Sequence, residues 1–140
     1  VTMTAARPTG TGAPGYTETW PCEPESARRA RLLVSAALNA WGADELVDAG
    51  LYIVSELVAN AINHTACRWV RVSVHRPGSG VVRIGVADKS RVTPELGRPD
   101  AGQESGRGLL VVDAMSWRWG YDREPWGKVV WAELRDGERA

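Results

Sequence analysis

Glu56, Asn60 and Asn63 are spaced i, i+4, i+7, which puts a carboxylate and two amides on one line of an α-helix. His64 sits at the edge of that line. Around it, Leu46, Val47, Leu51, Ile53, Val54, Leu57, Val58, Ala61 and Ile62 wrap most of the circumference, so the helix is expected to be deeply buried. A buried polar group left without a partner costs roughly 1–3 kcal/mol, and more if it is charged. Two readings follow. In one, the line is a structural cluster satisfied by neighbouring backbone or water. In the other it faces a polar ligand: the carboxylate orients a water or takes a proton, and an amide oxygen, a hard ligand, suits magnesium.

A second carboxylate stands out at Asp88. Strand alternation places it on the face of Val82, Ile84 and Val86, at the point where regular patterning stops. It either caps a turn through local backbone amides or accepts from an exocyclic amine of a ligand, such as N6 of adenine. In the second case adenine is expected over guanine, which offers a carbonyl at that position. The third feature is Gly106-Arg107-Gly108, directly before an apolar run that starts at Leu109. Glycines let backbone amides approach a ligand, and a helix N-terminus favours an anion. The same residues also suit a plain loop-to-helix junction. The chain has no G-x-x-x-x-G-K-[ST], and Gly106, Gly108 and Val111 miss the G-x-G-x-x-G pattern, so neither a P-loop nor a dinucleotide fold is indicated.

The elements that must position these residues are legible from periodicity. Glu23-Pro-Glu-Ser opens a first helix, with Ala27, Ala30, Val34, Ala37, Leu38 and Trp41 on one face, and Gly42 ends it. Asp44 is placed to cap a second helix running from about Glu45 to about His64. Trp69–His75 and Val81–Asp88 alternate as strands around Pro77-Gly-Ser-Gly and predict a hairpin. Lys89 to Ser105 carries Pro94, Gly97, Pro99 and Gly102 without periodicity, and a loop of that length is usually functional or disordered. A third helix is expected from about Leu109 to Met115, then strands near Trp117–Asp122 and Lys128–Leu134, with a further short strand near Thr17–Trp20. Hairpins imply a mostly antiparallel sheet with helices on one face, a two-layer α+β sandwich.

Composition narrows the function classes. The 140 residues suit one domain, and 44% hydrophobic with 24% charged residues is ordinary for a globular chain. Basic and acidic residues balance at 17 each, so no global field holds nucleic acid or an anionic membrane. No apolar run approaches the roughly 20 residues of a membrane span. Residues 1–16 are read as a disordered leader, 17–136 as the folded domain and 137–140 as a tail, with the cytoplasm as the expected compartment. Cys22 and Cys67 form no metal-binding pattern and are expected to be free thiols.

Taken in order, Glu-x3-Asn-x2-Asn-His, a strand-end Asp, a flexible loop and Gly-x-Gly-Leu resemble the GHKL superfamily, the ATPase domains of histidine kinases and gyrase among them. Glu56-Leu-Val-Ala-Asn60-Ala, Gly106-Arg-Gly-Leu-Leu-Val-Val-Asp and a late Gly-Lys-Val-Val-Trp look most like its small stand-alone members, the anti-sigma factor serine kinases, over about Trp20 to Leu134. The resemblance implies a Bergerat-type fold binding ATP or ADP with Mg2+. It matches Glu56 to the general base, Asn60 to the magnesium ligand, and Asn63 and His64 to the polar end of the same box. Asp88 matches the adenine-reading aspartate, and Gly106, Arg107, Gly108 and Leu109 match the lid and phosphate side. Ser90 departs from the family's usual Asp-x-Gly and brings a Cβ and a hydroxyl to the base. The implied activity is a serine/threonine protein kinase acting in transcription regulation, with a sigma factor or an anti-sigma factor antagonist-like protein as partner and a homodimer left open. A nucleotide-gated binding module without turnover is the alternative.

Overall fold

The computed structural model describes residues 7–8, 14–64, 68–78, 80–90 and 104–135, with backbone alone at 7, 8, 14, 64 and 104–108. Val70, Val72 and Val74 on strand β3 (Trp69–Gly78), Val82, Ile84 and Val86 on β4 (Val81–Asp88), and Val130, Ala132 and Leu134 on β6 (Gly127–Arg135) form one apolar sheet face, each at most 3% exposed. That face is covered by α1 (Glu25–Ala40), α2 (Val47–His64) and α3 (Glu104–Met115). With β1 (Arg7–Pro8), β2 (Pro14–Pro21) and β5 (Arg118–Glu124), the sheet among the described residues has six strands in the order β1-β2-β3-β4-β6-β5. Every ladder is antiparallel, so the expected two-layer α+β sandwich is what forms.

Gly50 lets α2 seat closely. A Cβ there would meet Leu38 Cδ1 at 3.1 Å and Val34 Cγ1 at 3.2 Å, with Ile84 Cδ1 behind at 3.7 Å. The glycine costs helix stability locally but brings α2 against both α1 and β4. Gly42, at φ 71°, ends α1 as its position suggests. Gly80, at φ 75°, lies in the β3–β4 turn.

Several boundaries differ from the sequence reading. Strand β2 starts at Pro14, inside the stretch read as leader, because Tyr16, Glu18 and Trp20 pair in register with Val74, Val72 and Val70 and extend the core face. Arg7–Pro8 then pairs with β2. Asp44 does not cap α2; it opens a 3-10 turn over Asp44–Leu46 that runs into the helix at Val47. Helix α3 begins at Glu104, so Gly106-Arg107-Gly108 lies within its first turns instead of ahead of it. After Pro99 and Gly102 no strong breaker remains, and two glycines at about 1 kcal/mol each do not outweigh the packing of the turns that follow. Cys22 is disulfide-bonded, which corrects the expectation of free thiols. Its backbone N–H donates to the Arg68 carbonyl at 3.1 Å, and the only other cysteine in the sequence, Cys67, lies outside the described residues.

Candidate nucleotide site

Strand register brings the distant motifs to one end of the sheet. Asp88 ends β4, and Arg71, near the start of β3, pairs with Ala87. The chain enters β3 from the C-terminus of α2, so the Asn60–Asn63 end of that helix lies at the Asp88 end of the sheet. Helix α3 runs the other way. Its C-terminus leads into Arg118, which pairs with Glu133 toward the far end, so its first turns lie at the Asp88 end as well. The backbone N–H groups of that N-terminus, Gly106 among them, are the ones a helix leaves unsatisfied and offers to an anion, whereas the Gly108 N–H falls within the i→i−4 ladder of the helix.

The polar line of α2 is less buried than its apolar surroundings suggested. Glu56 and Asn60 are half-buried and Asn63 is exposed, because the line runs along the margin of the buried stripe formed by Ile53, Val54, Leu57, Val58 and Ala61. Among the described residues, neither Glu56 nor Asn60 is engaged by a side-chain partner. Glu56 lines an open groove of about 610 Å³ with Arg31, Asp48, Leu51, Tyr52 and Ser55. Arg31 crosses from α1 to donate to Ser55 Oγ at 3.3 Å, and Ser55 donates back to the Leu51 carbonyl at 2.7 Å. His64 closes α2, with its side chain outside the described residues.

Asp88 is the most enclosed of the candidates, at 1% exposure. Two groups hold it. The Ser90 N–H donates to Oδ1 at 2.7 Å, a local turn of the kind aspartate often makes. Lys128, opposite Asp88 on β6 and 2% exposed, donates to Oδ1 at 3.1 Å and Oδ2 at 3.3 Å. Backbone contact locks this corner. A Cβ on Gly127 would overlap the Asp88 carbonyl oxygen and sit 2.7 Å from Lys89 Cα. Sequence reasoning gave Lys128 no role at the site. The available signal was its alternation with Val130, Ala132 and Leu134, which puts one of only two lysines on the core face. Leu109, 1% exposed, turns into the core with Val112 and seats α3 instead of lining an opening. The side chains of 104–108 and the expected lid segment 91–103 lie outside the described residues.

A second buried carboxylate sits on the sheet face away from the helices. Glu133, 1% exposed, takes Arg118 at 2.5 Å and Arg83 at 2.6 Å. Burial pushes its pKa up, but the hydrogen bonds and charges of Arg118 and Arg83 prevail and hold it below the usual 4.5. Arg83 also lies over the Trp131 ring at 4.2 Å. His75, cross-strand from Arg83, is lowered from its ordinary 6.5 by burial first and by the Arg83 charge second, against an opposing pull from Glu133.

The arrangement can hold a purine nucleotide. A carboxylate at a strand end is a hydrogen-bond acceptor, a half-buried amide at Asn60 carries a hard oxygen, and a helix N-terminus favours an anion. Among the described residues no group of three His, Cys, Asp or Glu could hold a metal ion. No described helix is long and apolar enough to cross a membrane. Residues 20–134 match the family model described as the histidine kinase-like ATPase domain. None of the curated proteins matches the chain.

Proposed function

The chain belongs to the histidine kinase-like ATPase domain family, and from that premise we propose that it is a serine/threonine protein kinase, anti-sigma factor-like, that regulates transcription through a partner protein. ATP binding follows from the family itself. The observation that best supports the finer reading is that the Asn60–Asn63 end of α2, the Asp88 corner and the first turns of α3 lie at one end of the sheet. In this reading Asp88 orients the base and Asn60 would hold Mg2+. The first-turn amides of α3, with Arg107, bind phosphate oxygens. A bound Mg2+ supplies charge neutralisation to the transferring phosphoryl group. Glu56 accepts the proton of a partner's serine or threonine hydroxyl as its oxygen attacks the γ-phosphorus and ADP departs. The partner is a sigma factor or an anti-sigma factor antagonist-like protein, the setting is cytoplasmic, and direct nucleic-acid contact is not part of the reading.

The second reading is a nucleotide-gated binding module without turnover. It is favoured by Glu56 opening onto the α1–α2 groove, whose Leu51 and exposed Tyr52 suit a protein surface as well as a reacting centre. Incubation with labelled ATP and candidate antagonist proteins separates the two. Label on a partner serine or threonine supports the kinase. Stable nucleotide-dependent association with no transferred label supports the module.

A further inference from the structure

Lys128 and Asp88 form a buried donor–acceptor edge, and its hydrogen-bonding capacity is not used up. An ammonium has three N–H donors, and the contacts of Lys128 go to the two oxygens of one carboxylate. Asp88 Oδ1 takes both Ser90 and Lys128, whereas Oδ2 takes only the longer Lys128 contact at 3.3 Å. Among the described residues, Lys128 therefore keeps donor capacity and Oδ2 acceptor capacity at the Asp88 end of the sheet, with Lys128 2% and Asp88 1% exposed. Unused capacity on a buried ion pair is costly, which favours a ligand that supplies it.

We infer that Lys128 is a second base-reading residue, donating to the acceptor on the Watson–Crick edge of a purine while Asp88 accepts from the donor beside it. This rests on the nucleotide reading above. In adenine the complementary pair is N6–H and N1, with Asp88 at N6 and Lys128 at N1. Guanine carries the same two functions in reverse order, O6 and N1–H, and fits with the base shifted so that Lys128 meets O6. A carboxylate alone discriminates against the guanine carbonyl. The adjoining ammonium removes much of that discrimination, so Lys128 sets the purine preference of the site and narrows it.

The test compares ATP, 1-deaza-ATP (a C–H in place of N1) and GTP by calorimetry in the presence of magnesium. With the wild-type chain, 1-deaza-ATP is expected to bind about tenfold more weakly than ATP, the loss of one hydrogen bond to a charged donor, and GTP within about tenfold of ATP. In Lys128→Met the difference between ATP and 1-deaza-ATP disappears and GTP falls further behind ATP. Lys128→Arg, which keeps the charge and a donor, retains the wild-type dependence on N1. The wild-type comparison needs no variant, so a fold defect in Lys128→Met leaves the inference exposed to refutation. Equal binding of ATP and 1-deaza-ATP to the wild-type chain overturns the role of Lys128 while leaving nucleotide binding intact. Failure of ATP itself to bind overturns both.

Discussion

Replacing Gly127 with alanine should break the Asp88 corner from the backbone side. The added Cβ would overlap the Asp88 carbonyl oxygen and stand 2.7 Å from Lys89 Cα and 2.9 Å from the Asp88 carbonyl carbon. Carbon–oxygen contacts normally begin near about 3.3 Å, and all three atoms are backbone, so no side chain can swing aside. The β5–β6 turn must move away from the end of β4, and Lys128, the next residue, moves with it. Overpacking costs about 1–3 kcal/mol, and separating a buried ion pair adds to it, so a loss of about 2–4 kcal/mol is expected. Urea denaturation followed by tryptophan fluorescence measures this directly. Gly120→Ala is the control, because the nearest atoms to its Cβ belong to the Trp131 side chain, at 2.9 Å for Cζ2, and that ring can shift. Nucleotide affinity, compared where both variants are folded, should drop in Gly127→Ala and hold in Gly120→Ala. A loss below about 0.5 kcal/mol in Gly127→Ala, the ordinary range for surface changes, would refute the close-packed corner.

Glu56→Gln should keep ATP binding and abolish phosphoryl transfer to a partner, since the amide retains shape without basicity; undiminished transfer removes Glu56 as the base. Asn60→Ala should weaken binding in magnesium and leave the magnesium-free affinity unchanged, as paired titrations with and without the metal would show. The lowered pKa of His75 means that the folded state binds fewer protons than the unfolded chain near and below pH 6.5, so stability falls as pH drops through that region. Melting temperatures between pH 8 and pH 5 should show that slope, His75→Gln should flatten it, and an unchanged slope would place its origin elsewhere. Glu133 acts in a separate window: its lowered pKa contributes stability that is lost only in acid below its ordinary 4.5, and Glu133→Gln should shift the acid transition. Thiol titration of the unfolded protein should find none without reductant and two with it, given the disulfide at Cys22 and the two cysteines of the sequence. Two free thiols before reduction would contradict that bond.

Local repetition made much of this molecule readable in advance. The valines of β3 and the alternating Val82, Ile84 and Val86 of β4 announce a hairpin because each strand carries its own period-2 signal and the turn glycines lie between them. The α2 line was readable for the same reason, as i, i+4 and i+7 are set by one helix alone. What remained hidden depends on pairing between distant segments. Asp88 meets Lys128 only because β4 pairs with β6 across the whole of α3, and neither residue's immediate neighbours disclose that register. Strand β2 gains its first residues from β3, on the far side of two helices in the sequence. Glu133 alternates with outward residues and reads as a surface charge until Arg83 and Arg118 arrive from separate strands. The burial of α2 was overestimated because a ring of apolar residues in the sequence does not tell which margin the neighbouring helices leave open. Helix α3 starts earlier than the Gly106–Gly108 junction suggests because the packing of Leu109 and Val112 holds the turns that follow, which the sequence around the glycines does not disclose.

The central claim is that this domain binds ATP at the Asp88 end of its sheet. Calorimetric titration of the chain with Mg-ATP, alongside Asp88→Asn, tests it most directly. The account predicts saturable binding in the micromolar to sub-millimolar range for the wild-type chain and a marked loss in the variant. Absence of both heat and thermal shift at millimolar Mg-ATP, or equal affinity in Asp88→Asn, would contradict it.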